Sequence, residues 1–366
     1  MDNTLLAKTL DLAIAIQQIP APTSHESQRS AYLYDQFQLM GLLDVSMDSL
    51  GNVFGRVPGQ GNNLPLILSA HLDTVFPPGT DLRIKKEFGR IYGPGIGDNS
   101  LGVAGLFGLF WALQGKELKL PGDLWLVANV GEEGLGNLIG MRAVVERFGN
   151  KVSAYIILEG MALGQIYHRG LGVQRYQITI TTSGGHSWVD YGKPSAIHQL
   201  AALVTGLTHI RIPSTPRTSL NVGVISGGTS INTIAPKAHL ELDLRSESSR
   251  VLSNLVSRIN HLAASFQTQE VQVAVDLIGQ RPAGKIPSDH PLVTLACRCL
   301  QNEGLQPHLS IGSTDANIPL SLGIPAVCIG LSTGQGAHTV QEYINIDPLS
   351  TGLDQLVHLV EGSYKI

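Results

Sequence analysis

Residues Leu64 to Thr74 read LPLILSAHLDT. Leu64, Leu66, Ile67 and Leu68 form a short apolar run, the pattern of a buried strand. The run stops at His71, Leu72 and Asp73. In open α/β sheets, ligands sit at the carboxyl ends of the strands. His-x-Asp is also the spacing of an imidazole metal ligand steadied by a neighbouring carboxylate. Taken alone, a histidine after a strand is more often a surface or capping residue, so the rest of the chain must decide.

The pattern recurs. Asp123–Val130 is an apolar run that ends in Gly131-Glu132-Glu133-Gly134, and Ala154–Leu158 is another that ends in Glu159-Gly160. The short run Arg90–Tyr92 enters a glycine-rich loop holding Asp98, and Ile324–Ile329 precedes a glycine-rich loop holding His338. Helical patterns alternate with these strands. They cover the N-terminal stretch up to Pro20, a segment toward Gly41 opened by the capping-box pattern Thr23-Ser24-His25-Glu26, and Leu101–Leu113. Further ones are Gly140–Phe148, Pro291–Gln301 behind the expected caps Ser288 and Asp289, and Pro348–Glu361. Strand alternating with helix predicts an α/β fold: a mixed, mostly parallel sheet flanked by helices.

Near Gly172 the texture changes. Val173–Thr181 and Ala238–Leu244 alternate polar and apolar residues, and helices are expected at Ala196–Ile210 and Val251–Phe266. With strands at Leu220–Ile225 and Val271–Leu277, the order is strand-helix-strand-strand-helix-strand. That order predicts a ferredoxin-like α+β domain with one open sheet face. The expected organisation is one α/β domain, residues 1–171 and 281–366, interrupted by an inserted domain at 172–280.

The chain has 366 residues, more than one ordinary core holds, which agrees with two domains. A net charge of −4 without long basic or acidic runs gives no support for nucleic-acid or membrane-surface partners. The N-terminal stretch is amphipathic, without a basic start or a small-residue cleavage site, and reads as a helix rather than a signal peptide. Leu101–Leu113 is too short to span a bilayer and reads as a buried helix. Three cysteines, Cys297, Cys299 and Cys328, are too few for a disulfide framework and fit a reducing compartment, so the expected location is cytoplasmic. Cys297 and Cys299 diverge on a helix and read as core rather than as a metal pair.

Five residues bear chemistry together: His71, Asp98, Glu133, Glu159 and His338. Singly, each has a plain account: a turn acid, a cap, a surface imidazole. Jointly they stand at the ends of predicted strands, where a mostly parallel sheet brings them to one rim. Two imidazoles and three carboxylates suit two zinc ions, or another divalent pair such as cobalt or manganese, with a carboxylate bridging. Two such ions acidify water and polarise a carbonyl. Glu132, beside Glu133, is the natural general base.

These motifs resemble the dinuclear zinc metallopeptidases. His71-Leu-Asp73-Thr, Gly93-Pro-Gly-Ile-Gly-Asp98-Asn, Gly131-Glu132-Glu133-Gly, Leu158-Glu159-Gly and the late His338 carry the resemblance. That family includes peptidase T, carboxypeptidase G, acetylornithine deacetylase, succinyl-diaminopimelate desuccinylase and the aminoacylases. The resemblance implies that Asp98 bridges, His71 and Glu159 complete one metal site, and Glu133 and His338 complete the other. It implies that Glu132 is the base, that Asp73 orients His71, and that the Asp98-Asn99 peptide is cis. The inserted domain would be the family's lid and dimerisation domain. Within it, Ser183-Gly-Gly-His186-Ser resembles the lid motif whose histidine stabilises an oxyanion, often in the partner subunit. The segment from Gly227 through Asn232 to Pro236, with Asp243-Leu-Arg245, resembles the part that holds substrate polar groups.

Arg245 could equally form a structural ion pair with Asp243 or Glu241, and Gly312-Ser-Thr-Asp315 is either a substrate-side loop or a plain turn. Two features depart from many members: Pro94 and Ser100 replace basic residues in the Asp98 loop, and bulky Trp188 and Tyr191 follow the lid motif. The resemblance implies hydrolysis of a peptide or amide bond in a small peptide or acyl-amino acid by a homodimer, with an N-acyl-amino-acid deacylase as the alternative. Two other readings compete. A nucleotide-binding turn at Gly93–Gly97 is disfavoured because Asp98 stands where the fingerprint's third glycine belongs. A non-catalytic metal-binding or regulatory protein on this fold is disfavoured by the intact Glu132 and ligand set.

Overall fold

Strand Asn63–His71 is buried from Leu66 to His71, as an apolar run covered on both sheet faces must be. The computed structural model describes every residue, Met1–Ile366. This strand runs parallel to Gly122–Asn129 on one side and to Ala154–Glu159 on the other. Ala326–Gly330 extends the parallel set beyond Ala154–Glu159. Val53–Val57 and Leu43–Met47 close one flank antiparallel. Gln165–Gly170 closes the other, paired with Gly284–Lys285 and with the parallel strand His308–Gly312. The register places His71 opposite Asn129 and Glu159 opposite Gly330, so the carboxyl ends of the parallel strands share one rim.

Helix Leu101–Gly115 is buried along nearly its whole length and packs on helix Asn3–Gln17 and on three of the parallel strands. Joined to the turn Ile96–Ser100 it spans 20 residues, longer than its apolar core suggests from sequence. By length and composition it could cross a membrane, but it is mostly buried inside the protein, and core packing accounts for its composition. Gly160 lets the turn after Ala154–Glu159 approach this helix: a Cβ there would stand 2.3 Å from the Gly97 carbonyl oxygen.

The chain forms two compact units, Met1–Gly170 with Gly284–Ile366, and Leu171–Ala283. The second unit is a four-stranded antiparallel sheet in the order Thr218–Gly227, Lys237–Ser246, Gly172–Thr182, Val271–Arg281. Its first strand in sequence lies between its third and its last, as in a ferredoxin-like fold. Strict alternation buries Ala238, Leu240, Leu242 and Leu244 with Ile178 and Ile180 under helices Ala196–Thr208 and Ser249–Ala264. Lys237, His239, Glu241, Asp243 and Arg245 take the other face.

Helix Pro291–Asn302 is not capped by Ser288 or Asp289. His290 is its cap, its Nδ1 accepting the Leu292 N–H at 3.2 Å, with Pro291 filling the first helical position.

Candidate metal centre

His71 ends its strand with the ring buried. Its Nδ1 lies 3.1 Å from the Asp73 carbonyl oxygen and 3.5 Å from Asp73 Oδ1. Its Nε2 faces Asp98 Oδ1 at 3.2 Å and Glu159 Oε2 at 3.7 Å. His338 Nε2 meets the other Asp98 oxygen, Oδ2, at 3.1 Å and Glu133 Oε1 at 3.1 Å. The five candidates therefore come together as two groups that share Asp98.

Several turns hold these ligands. Asp98 lies in the irregular turn Ile96–Ser100, and the Asp98-Asn99 peptide is cis. Asn99 fastens that turn to the end of Ala154–Glu159: its Nδ2 donates to the Leu158 carbonyl and its Oδ1 accepts the Gly160 N–H, each at 2.8 Å. Asp73 accepts the backbone N–H groups of Glu132 at 2.9 Å and Glu133 at 2.8 Å. The buried Asp73 thus joins the His71 strand to the Glu132-Glu133 turn. Glu132 is itself buried beside Glu133.

The electrostatics follow from this packing. Burial opposes a charged His71, but Asp73, Asp98 and Glu159 outweigh it and hold the imidazole well above its usual pKa. Asp98 and Glu133 push His338 up to about 10. Burial would raise Asp98, yet the two imidazoles pull it well below the usual carboxylate range. Burial lifts Glu159 to about 7 against His71, with Asp98 and Asp315 adding to the rise. Burial likewise carries Glu342 to about 7.

A cation suits this donor set. His71, Asp98 and Glu133 offer ligand atoms within 4.8 Å of one another. Donors bound about 2.05 Å from a tetrahedral ion sit roughly 3.3 Å apart. The N···O separations are 3.2 and 3.7 Å in the His71 group and 3.1 Å for both pairs in the His338 group, close to that value. Three carboxylates around two imidazoles leave excess negative charge, which a divalent ion neutralises.

Several supporting residues carry a misleading local signal in the sequence, or none. Thr23 and Glu26 read there as a capping box. In the structure helix Ser27–Leu39 has no side-chain cap. The Thr23 hydroxyl donates instead to Asp73 Oδ2 at 2.9 Å, and Glu26 Oε1 accepts the N–H groups of Gly131 and Ser24, each at 3.1 Å. Buried Arg29 donates Nε and Nη2 to the Ile19 carbonyl and Nη1 to the Leu72 carbonyl. Asp315 is buried and accepts Asn129 Nδ2 at 2.7 Å, which makes the Gly312–Asp315 loop more than a surface turn.

The second unit carries the other candidates. His186 is exposed, and its Nδ1 accepts the N–H groups of Trp188 at 3.2 Å and Val189 at 3.4 Å. A ring that accepts at Nδ1 carries its proton on Nε2. His186 pairs with Thr233, and the Asn232 carbonyl accepts the Ser187 N–H at 2.9 Å, so His186 and Asn232 share one end of this unit. Arg245 is not with them. Lys237 pairs with Thr181 and Arg245 with Val173, which puts Arg245 about 26 Å farther along the sheet. Its Nε donates to Asp243 Oδ2 at 2.7 Å, and Asp243 Oδ1 accepts Arg175 Nε at 2.9 Å.

The fold and this centre define a metal-dependent hydrolase. Residues 67–362 match the family described as Peptidase family M20/M25/M40, and the chain belongs to that family. It is accordingly a hydrolase of a peptide or amide bond. A Mycobacterium tuberculosis protein provisionally named succinyl-diaminopimelate desuccinylase DapE is 24% identical over 365 residues, 96% of this chain and 98% of that one. The structure of a Staphylococcus aureus tripeptidase matches with a TM-score of 0.83 at 23% identity, covering 99% of both chains. Aminopeptidase PepT from Bacillus cereus matches with a TM-score of 0.80 at 22% identity, covering 98% of both.

Proposed function

We propose that the protein is a dinuclear zinc peptidase of small peptides, with cobalt or manganese able to replace zinc. His71 and Glu159 would hold one ion, His338 and Glu133 the other, and Asp98 would lie between them. The observation that carries this reading is the division of Asp98: one carboxylate oxygen faces each imidazole. Bound there, such ions supply Lewis acidity toward a carbonyl oxygen and acidify water.

The chain's own groups do the rest. Glu132 takes a proton from the attacking water and returns one to the leaving nitrogen. Asp73 keeps Glu132 and Glu133 in register with His71 through the Glu132 and Glu133 N–H groups. The protein works as a homodimer through the inserted unit, which serves as lid and dimerisation domain. There His186, protonated on Nε2, donates to the developing oxyanion in the partner's site, and Asn232 beside it holds a substrate polar group. The unpaired cysteines support a cytoplasmic location.

A second reading, an N-acyl-amino-acid deacylase, is favoured by the 24% identity to the protein provisionally named succinyl-diaminopimelate desuccinylase.

The test is turnover of metal-loaded protein on di- and tripeptides with free amines, N-acetyl amino acids, and peptides with C-terminal Glu or Arg, with Glu132→Ala as control. Cleavage of free-amine peptides that vanishes in the variant supports the peptidase. Cleavage of blocked substrates alone moves the protein to the deacylases. Metal uptake without any turnover returns it to a non-catalytic role.

A further inference from the structure

Glu342 is fully buried, and both of its carboxylate oxygens are turned on backbone. Oε1 accepts the N–H groups of Gly97 at 2.7 Å and Asp98 at 2.8 Å, and Oε2 accepts that of Gly95 at 3.0 Å. The Glu342 carbonyl accepts the Gly93 N–H at 2.9 Å. All these donors belong to the segment that delivers Asp98. Three of them are glycines, whose backbone needs an outside hold to keep one conformation.

The other end of the same short loop is His338. The Glu342 N–H closes a turn onto the Thr339 carbonyl at 3.1 Å. One loop therefore supplies an imidazole that meets Asp98 Oδ2 and a carboxylate that grips the Asp98 N–H. A buried carboxylate spent wholly on backbone donors fixes geometry, since it touches no reacting atom.

The structure assigns Glu342 as the positioning residue for Asp98: it sets that carboxylate so that one oxygen meets His71 and the other His338. The assignment rests on the reading of Asp98 as a bridge between two ions. Glu342 acts through Asp98 and through the spacing of the ions, not on substrate.

The test is titration of metal-free protein with Co(II), followed by binding heat and by visible absorption. Wild type is expected to take up two equivalents. E342Q keeps the volume and one acceptor, and should bind about 10- to 100-fold more weakly. E342A, which removes both acceptors, should bind more weakly still. At saturating Co(II) the E342Q absorption spectrum should differ from wild type, and kcat should fall with KM unchanged. A purely structural glutamate would lower the melting temperature without changing that spectrum.

E342Q with wild-type affinity and spectrum overturns the assignment, whatever its melting temperature. Should E342A fail to fold, E342Q decides. Wild type that binds fewer than two equivalents overturns the bridge itself and this assignment with it. Two equivalents in wild type and an unaffected E342Q leave the bridge standing and remove only Glu342.

Discussion

Thr23 donates its hydroxyl to Asp73 Oδ2, 50 residues away, at 2.9 Å. That oxygen also accepts the Glu133 N–H, while Oδ1 accepts the Glu132 N–H and lies beside His71 Nδ1. The N-terminal segment is thus a support of the metal centre. Thr23→Val should cost about 1.5 to 3 kcal/mol, the usual worth of a hydrogen bond to a charged group. It should also lower kcat, because Asp73 loses one of the donors that fix it. Thr23→Ser keeps the donor and should behave as wild type. Urea unfolding and steady-state kinetics check both. A Val variant as stable and active as wild type would sink the idea.

Arg29 stitches the same segment to the His71 strand. It spans from the Ile19 carbonyl to the Leu72 carbonyl, which lies between His71 and Asp73. Burial pushes its guanidinium down to about 10, with Asp73 and Glu26 resisting, so it stays charged at neutral pH. Arg29→Met removes every one of these bonds and takes a nearby positive charge away from Glu26 and Asp73. Loss of one partner of a buried charge cluster typically costs about 3 to 5 kcal/mol. The urea midpoint should fall accordingly at unchanged m-value. Arg29→Lys should recover only part, because an ammonium cannot reproduce the planar fork.

These supports show why part of the centre was legible in sequence and part was not. His71, Glu133 and Glu159 stand next to apolar runs, and an apolar run locates a strand end from local information alone. Alternation likewise located the strands Gly172–Thr182 and Lys237–Ser246 of the second unit. Thr23 and Glu26 misled because Thr-x-x-Glu satisfies a local pattern, whereas their partners Asp73 and Gly131 lie far along the chain. Glu342 was silent because an acid in a polar loop reads as solvated until packing buries it. Asn129 was silent for the same reason, while Asn99 and Asp315 stand out only within their local motifs, because their bonds join segments 59 to 186 residues apart. His290 displaced the expected caps because Pro291 fixes the first helical position directly after it.

The ion pairs on the open face of the second unit give a pH signature. Burial would raise Asp243, but Arg245 and Arg175 outweigh it and hold the carboxyl below its usual pKa of 3.8. A depressed folded-state pKa adds stability that is present above the unfolded value and is lost as pH falls through the folded value. Wild type should therefore exceed Asp243→Asn by about 1 kcal/mol at neutral pH, allowing for solvent screening of the half-exposed Arg245. The gap should hold down to about pH 4 and close at lower pH. Urea titrations of both proteins across pH 2 to 7 check this. A gap independent of pH would show that Asp243 does not act through its charge.

Metal removal tests the centre by stability rather than by turnover. A ligand present at a thousandfold excess over its Kd stabilises the folded state by about 4 kcal/mol. In a unit of this size that amounts to roughly 10 °C in melting temperature. Chelation should remove this increment and zinc should restore it. His338→Ala keeps His71, Glu159 and one face of Asp98, and should retain only part of the increment. Asp98→Ala takes a donor from both groups, since each Asp98 oxygen faces a different imidazole. It should retain least of all. Thermal melts of the three proteins with and without chelator decide the order. Equal increments in all three would mean that these side chains do not hold the ions.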